Sequence, residues 1–87
     1  MDILYSEKAV KSMKKIAKGD KKSAQKIIEA IENYANNPNG AFDIKALKGN
    51  FGFFKRIRVG NYRIIFDENI NVINIYDIKH RQEIYND

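Results

Sequence analysis

The groups in this chain best suited to chemistry are cations on two neighbouring β-type runs. Arg56, Arg58 and Arg63 flank a Gly60-Asn61 pair, and Phe54 stands two residues before the first of them. A guanidinium offers a planar fork of donors that matches phosphate oxygens, and an aromatic ring stacks on an unpaired base. Lys48 and Lys55 lie in the same stretch. Near the end of the chain, Asp77-Ile78-Lys79-His80-Arg81-Gln82-Glu83-Ile84-Tyr85 collects the single histidine, further cations and a tyrosine. Histidine titrates near neutrality, and a tyrosine beside cations is a candidate base. If this tail folds back across the arginines, it supplies proton-transfer groups to a phosphate held there. Taken alone, it reads as an ordinary charged C-terminus with a surface histidine.

The position of the charge supports the same reading. The chain carries 16 Lys and Arg against 11 Asp and Glu, a formal net charge of +5. Residues 44–66 hold Lys45, Lys48, Lys55, Arg56, Arg58 and Arg63 with no acid among them, so the positive excess is confined to that stretch. A localised basic block is the footprint of a polyanion binder; the alternative is a solvated face without a partner.

The elements that must position these groups follow from spacing. The short run Asp2–Ser6 favours a strand. Ser6 caps a helix running to about Lys18, with Gly19 as its stop and Val10, Met13, Ile16 and Ala17 as the apolar stripe. Asp20 caps a second helix, in which Ala24, Ile27, Ile28, Ile31 and Ala35 form one buried stripe. Asn36-Asn37-Pro38 ends it, because a residue before proline is pushed out of the helical region. The lysines of this helical pair are interspersed with acids and read as a solvated face. A polar loop from Asn37 to Gly52 carries the anchors Ile44 and Leu47. Two β-type runs, Phe53–Val59 and Tyr62–Asp67, then flank the glycine turn. A third, Ile70–Tyr76, follows a turn at Asp67-Glu68-Asn69. The expected fold is α+β: an N-terminal strand, a helical hairpin, then a three-stranded antiparallel meander, all one sheet with the helices on one face.

A two-residue turn sets the hairpin register. Val59 opposes Tyr62, Arg58 opposes Arg63, Ile57 opposes Ile64, Arg56 opposes Ile65 and Phe54 opposes Asp67. One face then carries Ile57, Val59, Tyr62, Ile64 and Phe66 for the helices to cover. The other carries Phe54, Arg56, Arg58 and Arg63, with Ile65 as its apolar member. Arg58 directly across from Arg63 is a like-charge pair, unfavourable by some tenths of a kcal/mol. A bound phosphate accounts for that arrangement better than solubility or edge protection does.

Composition excludes other chemistries. At 87 residues the chain is expected to be one domain, 1–87, without a deep interdomain cleft. One His and no Cys leave no usual zinc site, no thiol nucleophile and no disulfide framework. No Gly-rich phosphate loop is present, and neither metal nor cofactor is called for. No apolar run approaches the roughly 20 residues that span a bilayer, and MDILYSEKAV lacks the pattern of a signal peptide. A cytoplasmic protein is expected.

Three motifs together resemble the RelE/ParE toxin superfamily of type II toxin–antitoxin systems. They are Leu47-Lys48-Gly49, the run Phe54-Lys55-Arg56-Ile57-Arg58-Val59-Gly60-Asn61-Tyr62-Arg63-Ile64-Ile65-Phe66, and His80-Arg81-Gln82-Glu83-Ile84-Tyr85. The resemblance runs from about residue 3 to the end. It implies a RelE-like fold of the microbial-ribonuclease type. For the RelE branch it implies a metal-independent endoribonuclease, an mRNA interferase that cleaves mRNA in the ribosomal A site and stops translation. In that reaction the substrate 2′-hydroxyl attacks the adjacent phosphate, giving a cyclic phosphate and a 5′-hydroxyl. Residue by residue, Arg63 matches the phosphate-contacting arginine, and Arg56 and Arg58 match basic positions on the preceding strand. Tyr85 matches the C-terminal tyrosine associated with base catalysis or stacking. Lys79 falls near an arginine proposed as acid, and His80 is an alternative donor. Phe54 stands where the best-known members carry lysine. The catalytic candidates are Arg56, Arg63, Lys79, His80 and Tyr85; Lys48, Phe54, Lys55, Arg58 and Arg81 are candidates for RNA binding.

The resemblance also implies partners: a cognate antitoxin, the ribosome and mRNA, no membrane, and operator DNA only through the antitoxin complex. Two other functions stay open from the residues. One is a ParE-like toxin that poisons DNA gyrase without nuclease chemistry, because the branches share a scaffold. The other is a basic nucleic-acid-binding module that cleaves nothing.

Overall fold

The computed structural model describes residues 1–47 and 54–83. In chain order the strands are β1 (Asp2–Tyr5), β2 (Ile44–Ala46), β3 (Lys55–Val59), β4 (Tyr62–Asn69) and β5 (Val72–His80). Helices α1 (Glu7–Gly19) and α2 (Lys21–Asn36) lie between β1 and β2, and a 3-10 turn, Arg81–Glu83, follows β5. The strands form one sheet in the order β1-β5-β4-β3-β2. β1 runs parallel to β5, and every other neighbouring pair is antiparallel. This is the α+β architecture expected.

Local capping follows the sequence closely. The Ser6 hydroxyl accepts from the Ala9 N–H at 2.9 Å, and the Asp20 carboxylate accepts from the Ser23 N–H at 3.1 Å. Hydrogen bonds from Ser23 also hold the Asp20 carboxyl below its usual range. Gly19 is the last residue of α1 rather than a stop beyond it, and Asp20 closes one helix while opening the next. Gly60 takes φ 56°, a conformation that costs glycine nothing and suits the first central position of a tight hairpin turn. With the turn so made, β3 and β4 pair in the expected register from Val59↔Tyr62 back to Arg56↔Ile65.

The core lies between the helical pair and one face of the sheet. Ile57, Ile64, Phe66, Ile73, Ile75 and Ile78 meet Ala9, Ile27, Ile31, Tyr34 and Ala35. The expected stripes hold at Met13 and Ile16 in α1 and at Ala24, Ile27, Ile31 and Ala35 in α2, and each differs at its margins. In α1 Ala9 is fully buried, whereas Val10 is exposed and Ala17 lies outward. In α2 Tyr34 is buried and Ile28 is exposed. The small Ala9 lets α1 approach the sheet closely. Tyr34 enters because its ring packs edge-on against Phe42 and Phe66, at 5.3 and 5.4 Å, while its hydroxyl donates to Glu68.

Four further differences concern the sheet. Residues 44–46, expected in a loop, form the edge strand β2, where Ile44 continues a transverse row with Ile57, Ile64 and Ile78. The β4–β5 turn falls at Ile70-Asn71 instead of residues 67–69, leaving Ile70 92% exposed at the tip. β5 then continues to His80, so Lys79 and His80 are strand residues and need no tail to fold back. Finally, the β4–β5 register slips between Ile65 and Phe66, so that Ile65 faces Asp77 and Phe66 faces Ile75. Tyr76 is the extra residue of this bulge.

Candidate active site

Register places the candidate cations in transverse rows. Arg58 on β3, Arg63 on β4 and Lys79 on β5 are direct neighbours across three strands. The adjacent row, at the glycine-turn end, is Val59, Tyr62 and His80. On the other side lies the row Lys45, Arg56, Ile65 and Asp77. A few backbone hydrogen bonds thus hold three cations side by side, a placement that flexible loops do not secure.

Burial alters the expected picture of three open guanidiniums. Arg58 keeps 48% of its side chain exposed, but Arg56 and Arg63 are 6% and 8% exposed as residues. Arg56 Nη1 donates to the Asp43 carbonyl at 3.0 Å and to its carboxylate at 3.1 Å. The other carboxylate oxygen of Asp43 lies 3.9 Å from Arg58 Nη1, and the Arg58 N–H donates to the Asp43 carbonyl. Asp43 stands one residue outside the acid-free stretch 44–66, and the fold brings it back onto two of that stretch's arginines. At the far end, Asp77 is 3% exposed and accepts from the Ser12 hydroxyl at 2.7 Å and from the Ile78 N–H at 2.8 Å. Its second oxygen lies 3.6 Å from Lys8 Nζ and 3.8 Å from Lys79 Nζ. The protein's own carboxylates thus flank the row, Asp43 beside Arg58 and Asp77 beside Lys79.

The remaining candidates divide. His80 ends β5, its ring edge-on to Tyr62 at 5.3 Å, and its Nδ1 accepts from the Gln82 N–H at 3.2 Å. An accepting Nδ1 puts the proton of the neutral ring on Nε2. Arg81 begins the 3-10 turn, and its N–H donates to the Asn61 carbonyl at 2.7 Å, tying the end of β5 to the glycine turn. Phe54 lies beside Tyr76, with centroids 5.1 Å apart. Lys55 departs from the group. Its register neighbour is the core residue Phe66, and its Nζ lies 3.1 Å from Glu68, which also receives the Tyr34 hydroxyl. Burial pushes the Glu68 carboxyl up, but the Tyr34 and Lys55 hydrogen bonds outweigh it and leave it lowered. Burial and the same carboxylate raise the Tyr34 phenol to about 12. Lys55 thus serves a polar cluster beside the core. Lys48 and Tyr85 lie outside the described residues.

Beside the cation row, α1 and the last residues of β5 border a groove of about 510 Å³ lined in part by Lys8, Ser12, Lys15, Tyr62, Lys79 and His80. Asp20 and Asp77 also line this opening and offset part of the charge of its three lysines, and His80 with Lys79 can donate protons there. Sequence reading missed Asp43, Asp77, Tyr62 and the α1 lysines as parts of this region. Asp43 had a visible signal, an acid immediately before the basic stretch. The others had none, because α1 and β5 meet only through the tertiary fold.

Known proteins agree with this geometry. The model of the ParE toxin of type II toxin–antitoxin systems matches residues 3–85, and the chain belongs to that family, within the RelE/ParE superfamily. It is a toxin of a toxin–antitoxin system. Toxin RelE3 of Methanocaldococcus jannaschii is 35% identical over 85 residues, covering 98% of this chain and 96% of that protein. Among solved structures, the RelB-RelE antitoxin-toxin complex from Methanococcus jannaschii is similar at 31% identity and TM-score 0.75, with 95% of each chain covered. The heterotetrameric YoeB-YefM complex from Staphylococcus aureus is similar at 25% identity and TM-score 0.76, covering 92% of this chain and 95% of that one. Among the described residues, no helix is long and apolar enough to cross a membrane.

Proposed function

We propose that this toxin is a RelE-like, ribosome-dependent endoribonuclease that cuts mRNA in the A site by 2′-hydroxyl attack, without a metal ion. The observation that carries this reading is the row Arg58–Arg63–Lys79, beside the groove that Lys79 and His80 both line. Arg58, Arg63 and Lys79 stabilise the charge that develops on the phosphate. A base, Tyr85 by resemblance, takes the 2′-hydroxyl proton, and Lys79 or His80 returns one to the departing 5′-oxygen. Arg56 orients the Asp43 carboxylate shared with Arg58, a positioning role. Lys48 and Arg81 extend the positive surface along the RNA. The partner is an antitoxin, as similar toxins form complexes with RelB and YefM; its acidic segment covers these cations in the cytoplasm, and operator DNA is met through that complex.

The test is purified toxin added to ribosomes programmed with a defined mRNA, with breaks mapped by primer extension. Cuts at the A-site codon are expected, with Arg63→Ala slowing them about 100-fold, as for loss of one preorganised charge. Intact mRNA would overturn the reading. A second reading, a gyrase-directed toxin, draws on the ParE identity of the matching family model; it predicts intact mRNA and broken chromosomes in expressing cells.

A further inference from the structure

We infer that a cleft on the sheet next to Phe54 is a nucleobase subsite that favours bases bearing an exocyclic amine, and that it contributes to codon preference. The inference rests on the RNA-cleaving reading above and assigns part of the same substrate a place.

The cleft, about 280 Å³, is bordered by Leu4, Phe54, Asp67, Asn74, Ile75 and Tyr76. Two of its walls are large apolar groups left in the open, Leu4 at 57% and Tyr76 at 43% exposure. Tyr76 is there because of the bulge. The register slip makes it the unpaired extra residue of β5, and bulges re-aim side chains near functional sites. The bulge is anchored at the end of β1, where the Ser6 hydroxyl donates to the Tyr76 carbonyl and the Ser6 N–H to the Ile75 carbonyl at 2.9 Å. The re-aimed ring meets Phe54 at 5.1 Å with the planes tilted by 42°, forming an aromatic corner instead of a closed stack. Bases stack on such corners with little regard to identity.

Identity comes from the polar wall. Asp67 and Asn74 face each other across β4 and β5, and the Asn74 side-chain amide donates to Asp67 Oδ1 at 2.9 Å. That bond fixes the carboxylate plane, so Asp67 presents an oriented acceptor edge beside the aromatic corner. A carboxylate edge accepts from the amines of adenine, cytosine and guanine and repels the carbonyl edge of uracil. Phe54 lies four residues before Arg58 on the same run, roughly 13 Å of extended chain, so a short stretch of RNA can bridge the cleft and the cation row. Lys8 Nζ, 5.4 Å from the Tyr76 ring centre, places a positive charge beside the aromatic corner.

Two measurements test the subsite. The first scores A-site cleavage on ribosomes carrying mRNAs that differ by one base at a time. Wild type is expected to show about tenfold preference against uracil at one codon position. Asp67→Asn, a surface swap that keeps the Asn74 contact possible, is expected to remove that preference while cleavage continues. Phe54→Ala with Tyr76→Ala is expected to slow cleavage at every base, with Phe54→Tyr and Tyr76→Phe restoring it. Cleavage with unchanged base preference in Asp67→Asn would overturn the subsite. The second measurement follows the Asn74 side-chain amide and Tyr76 ring signals by NMR while the full chain is titrated with short single-stranded RNAs. Shifts with adenine- or cytosine-containing RNA, weaker with oligo-uridine, are expected. If wild type cuts no mRNA, the nuclease reading fails while this titration still decides the cleft. No shift at Asn74 or Tyr76, or a response only to an antitoxin peptide, would overturn it.

Discussion

Ser12 and Asp77, 65 residues apart in the chain, are joined by a 2.7 Å hydrogen bond that fastens α1 to the strand bearing Lys79 and His80. Because Asp77 is buried, its carboxylate must be satisfied from within. Ser12 and the Ile78 N–H do so, with Lys8 and Lys79 close by. Ser12→Ala is expected to cost about 1 kcal/mol, and Asp77→Ala about 2 to 3 kcal/mol, in urea unfolding. The double variant should fall short of their sum, since each removes the same bond. Full additivity would show that the bond contributes nothing.

The two strand-β3 arginines should separate. Arg56 is buried against Asp43, whereas Arg58 is half open and 3.9 Å from the same acid. Arg56→Ala is expected to lower stability by about 1 to 2 kcal/mol, the half-exposed carboxylate screening part of the effect. Arg58→Ala should leave the unfolding midpoint within about 0.5 kcal/mol of wild type, and weaken growth arrest on expression. Thermal melts paired with a plating assay check both.

Alkaline stability should report the Tyr34 phenol. Its pKa is raised from 10.0 to about 12 by burial and by Glu68. Below pH 10 the phenol is neutral in both states and the folded state keeps its full stability. As pH rises through the window up to about 12, only the unfolded chain ionises, so folding stability falls. Tyr34→Phe should flatten that decline and cost about 1 kcal/mol at neutral pH. An unchanged alkaline slope in the variant would assign the decline to other groups.

Helix packing gives a prediction where neighbouring residues behave oppositely. Ala9 is 0% exposed and Val10 39%. Ala9→Leu is expected to destabilise by about 1 to 3 kcal/mol through overpacking against the sheet. Val10→Lys should change stability by less than about 0.5 kcal/mol. Denaturant midpoints of the two variants suffice.

What the sequence alone determined is local. Ser6 and Asp20 cap their helices because a side-chain oxygen needs to reach only two or three residues onward. Gly60-Asn61 made the β3–β4 pairing legible because a two-residue turn leaves one register, and with it came the opposition of Arg58 and Arg63. Family membership was legible for the same reason, since its motifs cluster around that hairpin and the end of the chain. The tertiary structure decided everything that joins distant segments. Periodicity could not choose between Ala9 and Val10, because both fit a helical stripe and only the path of α1 over β5 selects one. No spacing announced the bulge that frees Tyr76, since a bulge is a property of two paired strands. The same holds for charge. Residues 44–66 read as an uncompensated basic block, yet folding sets Asp43 against Arg56 and Arg58, and Glu68 against Lys55. Composition counts charges along the chain, but electrostatic energy depends on distances that only the assembled sheet defines.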